Sequence, residues 1–356
     1  MDEQTSSSRA GFRDEAAHTP AKAQASRPGV LLALGRAGTG APERIHDALG
    51  RRGARDIQLD VQRVGATDAV RAAWWHEAPP ACDSSTRWLD SVVAELGTHE
   101  GLRVRAGPHR PQRVAIFVSH TEHCLRALLH ENCTGRLPCD VAFVAGNHDT
   151  CGDVAEAYGV PFFRFDLRAR SKDDVEAEQL HLLQRHRVDL VVLGRYMQVL
   201  SARFLAGYTE RVINIHHGLL PAFPGADPYR RAAARGVKFI GATAHYATAE
   251  LDAGPIIEQE ILRVGHGDDA VTLARKGARL ECTALLRATR WHLEQRLLAV
   301  DDKVVVFDAP PASASRPPIA AQPRHWLTAE WPAEELERSL PRIDGAALDA
   351  AAAFVD

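Results

Sequence analysis

The segment Val212-Ile213-Asn214-Ile215-His216-His217-Gly218-Leu219-Leu220-Pro221 runs from an apolar stretch into polar side chains and then into a turn. Read as a strand, it sets Asn214 and His216 two residues apart, so both side chains project from one face. In an open α/β sheet, ligands bind at the carboxyl ends of the strands. Downstream, Leu251-Asp252-Ala253-Gly254-Pro255 places a carboxylate in a tight turn just beyond a strand that ends near His245. An amide, an imidazole and a carboxylate in one cleft suit acyl chemistry. The amide and a protonated imidazole stabilise a carbonyl oxygen that is becoming an anion, and the carboxylate moves protons. Spacing alone does not separate this reading from three satisfied polar groups at strand ends.

Such a cleft needs a sheet to hold it. Apolar runs at 114–118, 141–145, 190–193, 212–216 and 242–245 are separated by helical patterns at 123–130 and 175–186. Continuous apolar strands joined by helices predict a doubly wound α/β domain with a mostly parallel sheet buried on both faces. A last long helix is expected over 270–299, then a strand over 303–307. Ahead of this domain, 29–107 follow a βαββαβ order, the order of the ferredoxin-like sandwich, with a long turn over 76–85. The expected organisation is therefore a disordered tail (1–28), a ferredoxin-like domain (29–107), a catalytic domain (112–307) and a C-terminal extension of unknown role (308–356). The extension opens with Pro310, Pro311, Pro317, Pro318 and Pro323, a stretch too poor in apolar residues to fold alone.

Composition narrows the function. Of 356 residues 45% are hydrophobic and 25% charged, and the net charge of -3 gives no basic field to hold nucleic acid or acidic lipid. No run approaches the roughly 18–20 apolar residues of a membrane-spanning helix. Residues 1–28 lack the apolar core of a secretory signal, and Asp2, Glu3, Asp14 and Glu15 are out of place in a transit peptide. Six cysteines without a CxxC pair are expected to be reduced thiols in a cytoplasmic protein. His120-Thr121-Glu122-His123 lacks zinc-ligand spacing, and His216 and His217 point to opposite faces of a strand, so no metal is expected. Cys124, at a helix start, could be an activated thiol, although inside an apolar run it reads more simply as core.

Residues 112–307 resemble the formyltetrahydrofolate deformylase family. The resemblance is carried by ordered motifs: Val118-Ser119 with His123-Cys124-Leu125; Gly146-Asn147-His148-Asp149; Arg195-Tyr196-Met197-Gln198-Val199-Leu200; Asn214-Ile215-His216-His217; Leu220-Pro221-Ala222-Phe223 with Gly225-Ala226; Gly241-Ala242-Thr243-Ala244-His245-Tyr246; and Leu251-Asp252 with Gly254-Pro255. The N-terminal unit fits the ACT-like regulatory domain of such proteins. The resemblance implies hydrolysis of 10-formyltetrahydrofolate, a substrate and not a cofactor, to formate and tetrahydrofolate. It implies that Asn214 and His216 hold the formyl oxygen, and that Asp252 is the base for water and helps the folate nitrogen leave. It also implies that Arg195, Tyr196, Met197, Gln198, Val199, Leu200 and Gly225 line the folate site, within a homo-oligomer that takes part in one-carbon and purine metabolism. On the bare sequence, Met197 and Leu200 read as core.

Three departures bear on the reaction. Gly218 stands where the family has Ser, removing a hydroxyl beside the catalytic strand; Arg230-Arg231 replace His-Gln; and His120 replaces a Lys. Glu281 keeps an acid where one is expected, and Gly277-Ala278-Arg279 replaces Gly-Arg-Asp. In the N-terminal domain, Arg36-Ala37-Gly38-Thr39-Gly40 replaces the Asp-x-x-Gly ligand turn, so dimerisation through its sheet is the plainer expectation there. Two alternatives stay open: a formyltransferase passing the group to an amine of a sugar, amino acid or specialised metabolite, and an inactive folate-binding regulatory protein.

Overall fold

The computed structural model describes residues 29–75, 82–108, 110–167 and 170–307. The tail and extension expected from sequence, and 76–81 of the expected long turn, lie outside the described residues. The first domain runs β1 (Gly29–Arg36), α1 (Ala41–Gly50), β2 (Arg55–Val64), β3 (Thr67–Trp75), α2 (Cys82–Gly97) and β4 (Arg103–Ala106). Its antiparallel sheet has the order β2-β3-β1-β4, the ferredoxin-like arrangement. Strand β1 is apolar from Val30 to Leu34 because both of its faces are covered there. Leu31 and Ala33 join Ile45, Leu49, Trp74, Leu89 and Leu96 under the helices, while Leu32 points the other way.

The second domain contains β5 (Gln112–Val118), α3 (His123–Cys133), β6 (Cys139–Gly146), α4 (Gly152–Ala157), β7 (Phe162–Arg164), α5 (Lys172–Arg185), β8 (Leu190–Leu193), α6 (Ala202–Ala206) and β9 (Val212–His216). It continues through α7 (Pro228–Ala234), β10 (Phe239–Tyr246), β11 (Ile256–Arg263), α8 (Ala270–Leu293), β12 (Leu297–Val300) and β13 (Lys303–Val306). Its seven-stranded sheet has the order β11-β10-β9-β8-β5-β6-β7; β7 to β9 pair in parallel and β10 and β11 antiparallel. Alternate residues feed two cores. Val114, Ile116, Val118, Ile213 and Ile215 lie with α3 and α8, whereas Ala115, Phe117, Val191, Leu193 and Val212 lie with α5 and α6.

Three elements differ from expectation, the first being α2, which starts at Cys82 inside the turn expected over 76–85. Strand β11 was not expected, since Glu258, Glu260 and Arg263 interrupt the apolar signal. Glu258 and Glu260 both pair with Arg287 of α8, which satisfies the charges that obscured the strand. The last helix stops at Leu293 instead of continuing to 299, and the apolar residues after it form β12. Gln295 and Asp301 take left-handed φ of 54° and 55°, the first ending the helix and the second turning β12 into β13. This hairpin seats Leu298, Val300, Val305 and Phe307 on Leu32 and Ala69 of the N-terminal sheet. Arg71 donates to the Gln295 carbonyl at 3.0 Å and Arg105 to the Leu297 carbonyl at 3.0 Å. The sheet face expected to be free for dimerisation is thus partly covered by the chain's own hairpin.

Candidate active site

Strands β5, β6, β8 and β9 are parallel, so their carboxyl ends emerge on one edge of the sheet. Asn214 lies opposite His245 across β9 and β10, and His216 lies opposite Thr243. Opposed residues of an antiparallel pair share a face, and so do residues two apart on one strand. Asn214, His216, Thr243 and His245 therefore converge on one side of the sheet, away from Ile213, Ile215 and Ala244, which are buried in the core formed with α8.

Asn214 Nδ2 donates to His245 Nε2 at 3.1 Å, and His245 Nδ1 donates to the Tyr246 carbonyl at 3.0 Å. That second bond leaves Nε2 as the acceptor and fixes the tautomer. Burial is the main cause that pushes the His245 pKa down, so the ring is neutral. His216 donates from Nε2 to the Phe223 carbonyl at 2.7 Å and turns Nδ1 toward Asp252 Oδ2 at 3.3 Å. Asp252 Oδ1 lies 3.9 Å from His245 Nε2. The three residues singled out in the sequence thus meet, and His245, read only as part of a motif, stands between two of them. Its position opposite Asn214 requires β9 and β10 to be paired, which no local pattern states.

Asp252 is delivered by a turn of unusual backbone. Its own φ is 56°, a left-handed value that Asp tolerates better than most residues. Gly254 then passes so close to β10 that a Cβ there would lie 1.8 Å from the Tyr246 carbonyl oxygen. The side chain is 6% exposed. Burial raises its pKa, but the His216 ring and the Gly225 amide, which donates to Oδ2 at 2.8 Å, outweigh burial and bring it below the ordinary value. Gly225, expected to touch folate, holds the carboxylate through its amide.

Gly218 has a steric reason. A Cβ at this position would lie 2.8 Å from Pro228 Cβ and 3.0 Å from His216 Nε2. The backbone of this chain has no room for the family's serine, and the missing hydroxyl reflects packing of the turn on α7. Thr243 holds that turn, accepting from Leu220 N at 3.1 Å and donating to the Gly218 carbonyl at 2.8 Å. Gly218→Ser is expected to destabilise the protein by about 1–3 kcal/mol through overpacking. A thermal unfolding midpoint equal to wild type would contradict this account.

The loop after β8 divides by exposure. Tyr196 and Leu200 are buried in the core under α5 and α6, with Tyr196 Oη accepting from Gln179 at 3.1 Å. Met197 (55% exposed), Gln198 and Val199 (53% exposed) face solvent. The core reading is right for Leu200 and wrong for Met197, whose amide is instead tied to Ser119 Oγ at 2.9 Å. Arg195, with a left-handed φ of 65°, turns inward to 3.4 Å from Glu281. Its Nε and Nη1 have no hydrogen-bond partner among the described residues.

Glu281, buried in α8, gathers a second network. It accepts from Tyr229 Oη at 2.7 Å and from His123 Nε2 at 2.9 Å. Burial would raise its pKa, yet Arg195 and His123 hold it well below the carboxylate range. His217 packs between His216 and Tyr229, with ring centroids 5.4 and 5.8 Å away, and burial together with Arg195 keeps it neutral. Cys124 is fully buried and its thiol is pushed well up by burial, so it is core and not an activated nucleophile. A wider hollow of about 600 Å³ lies elsewhere, lined by Asp149, Asp153, Glu156 and Phe162. None of the converging residues reaches it.

The family described as Formyl transferase matches residues 112–289. A formyltetrahydrofolate deformylase of Bacillus subtilis is 47% identical over 197 residues, which cover 55% of this chain and 66% of the relative. One from Mycobacterium bovis is 41% identical over 286 residues, 79% of this chain and 87% of the relative. A solved formyltetrahydrofolate deformylase from Pseudomonas syringae superposes with a TM-score of 0.72 at 34% identity, covering 80% of this chain and 96% of that one. A glycinamide ribonucleotide transformylase from Symbiobacterium toebii, also 34% identical, has a TM-score of 0.54 and covers only 56% of this chain.

Proposed function

We propose, for a chain that belongs to the formyltetrahydrofolate deformylase family, the reaction 10-formyltetrahydrofolate plus water to formate and tetrahydrofolate. The observation that carries the reading is the convergence of Asp252 on His216 and, through His245, on Asn214. Asp252 takes a proton from water, whose oxygen attacks the formyl carbon. The Asn214 amide and the His216 Nε2–H bind the oxygen that becomes negative, an interaction stronger in the transition state than in the ground state. For His216 this means exchanging the Phe223 carbonyl for the formyl oxygen. Asp252 then returns its proton to N10 as the C–N bond breaks, so the proton balance closes within one carboxylate. No metal takes part in these steps, and folate enters as substrate. Arg195, whose Nε and Nη1 have no hydrogen-bond partner among the described residues, is assigned to a polar group of the folate, while Met197 and Val199 offer it an apolar surface.

Water is favoured over an amine as acceptor because deformylases of Mycobacterium bovis and Pseudomonas syringae match about 80% of the chain, whereas the transformylase match covers 56% of it. No described helix is long and apolar enough to cross a membrane. The free cysteines among the described residues support a reducing, cytoplasmic setting. Edge strand β2, half exposed, is the surface to which we assign homo-oligomer formation.

The test is formate release from 10-formyltetrahydrofolate by purified full-length protein with no amine added. Formate and tetrahydrofolate in equal amounts are expected. Formyl transfer that starts only when an amine is supplied would replace the hydrolase reading with the transferase one.

A further inference from the structure

The start of α3 and the middle of α8 bring His123, Cys124 and Cys282 together. One ring nitrogen of His123 and the two Sγ atoms all lie within 4.8 Å of one another, and all three residues are buried. Glu281, the residue before Cys282, binds His123 Nε2 at 2.9 Å, while Nδ1 has no hydrogen-bond partner among the described residues. An imidazole held on one nitrogen by a buried carboxylate and lying close to two buried thiols has the shape of a metal ligand with its outer-shell support.

We propose that His123, Cys124 and Cys282 supply three ligands of a buried site for a zinc ion. Two thiolates and an imidazole select a borderline-soft cation and disfavour magnesium or calcium. Charge selects its valence. Two thiolates, the Glu281 carboxylate and the Arg195 guanidinium sum to two negative charges, so a divalent ion brings the buried cluster to neutrality and a monovalent one leaves it negative. Zn–S bonds of about 2.3 Å and Zn–N bonds of about 2.0 Å set ligand separations of roughly 3.5–3.8 Å, so from separations within 4.8 Å closure on the ion takes a contraction of at most roughly 1.3 Å. The three ligands come from helices separated by more than half of the second domain in sequence, and the ion would clamp α3 to α8 behind Arg195. On binding, both thiol protons are released to solvent and the sulfurs remain as thiolates. The reacting groups Asn214, His216 and Asp252 are not ligands, so the site serves the fold and not the hydrolysis.

The test uses untagged full-length protein, kept reduced, loaded with zinc sulfate and then dialysed. Elemental analysis is expected to find zinc equimolar with the chain, and Cys282→Ala to weaken zinc binding by more than the roughly 10–100-fold that loss of an outer-shell partner costs. Cys133→Ala, at an exposed cysteine outside the cluster, should keep the zinc. Cobalt(II) in place of zinc should show sulfur-to-metal charge transfer in the wild type and lose it in Cys124→Ser. Zinc at background level in the wild type, or retained in both cluster variants, overturns the proposal. So does titration of four thiols instead of six in the unfolded wild type, because the pair Cys124 and Cys282 would then be a disulfide.

Discussion

Asp252→Asn is expected to lower kcat for formate release by roughly 10²–10⁴-fold, with KM changed little, because the substitution removes the proton acceptor and leaves the site's shape. The isosteric amide oxygen can still accept from Gly225, and asparagine tolerates the left-handed backbone found here. The pH profile separates this role from a structural one. Burial drives the Asp252 carboxyl up, but His216 and the Gly225 amide more than offset it, so the carboxylate persists below the ordinary carboxylate range. The wild-type rate should therefore hold through neutral pH and fall only in strong acid, as the base is protonated. The residual activity of Asp252→Asn should lose that acid limb. A variant within a few-fold of wild type, or one whose loss follows a lowered melting temperature, would remove Asp252 from the chemistry.

Much of this site was legible because its parts are local. Asn214 and His216 are two apart on one strand, and their shared face follows from the pleat alone. Asp252 is legible as a carboxylate in a tight turn, since Gly254-Pro255 marks the turn wherever the chain goes next. What stayed hidden is relational. His245 becomes part of the site only when β10 runs antiparallel to β9, a pairing that the apolar strand signal does not orient. The exposure of Met197 and burial of Leu200 depend on how one loop leaves β8, and hydrophobicity treats the two alike. Gly218 reads as a lost donor in sequence, and only its distance to Pro228 shows that a side chain has no room. The overrun of the last helix has the same origin: residues 297–300 are as apolar as the helix before them, and only pairing with β13 makes them a strand.

Glu281 is the residue whose meaning changed most between sequence and structure, and its replacement carries the second large expectation. Removing one partner of a buried ionic group typically costs about 3–5 kcal/mol, because the opposite charges stay buried without it. Glu281→Gln keeps the volume but leaves the Arg195 guanidinium uncompensated and His123 without a carboxylate. The melting temperature should fall by roughly 6–20 °C for a domain of this size. The pH dependence in metal-free protein gives the sign. Glu281 has a native pKa below its unfolded one, so its contribution is complete above the unfolded value, near pH 4.5, and is lost only as pH falls through the lower native value. For His123, burial opposes the charge, but Cys124 and Glu281 outweigh it and raise the native pKa to about 10. Its contribution is complete below the unfolded value of about 6.5 and is lost as pH rises through 10. The gap in melting temperature between wild type and Glu281→Gln should thus be widest near pH 6 and narrow by pH 10. An equal gap at both pH values would show that His123 carries no charge held by Glu281, and the drop would then report the loss of Arg195 pairing alone.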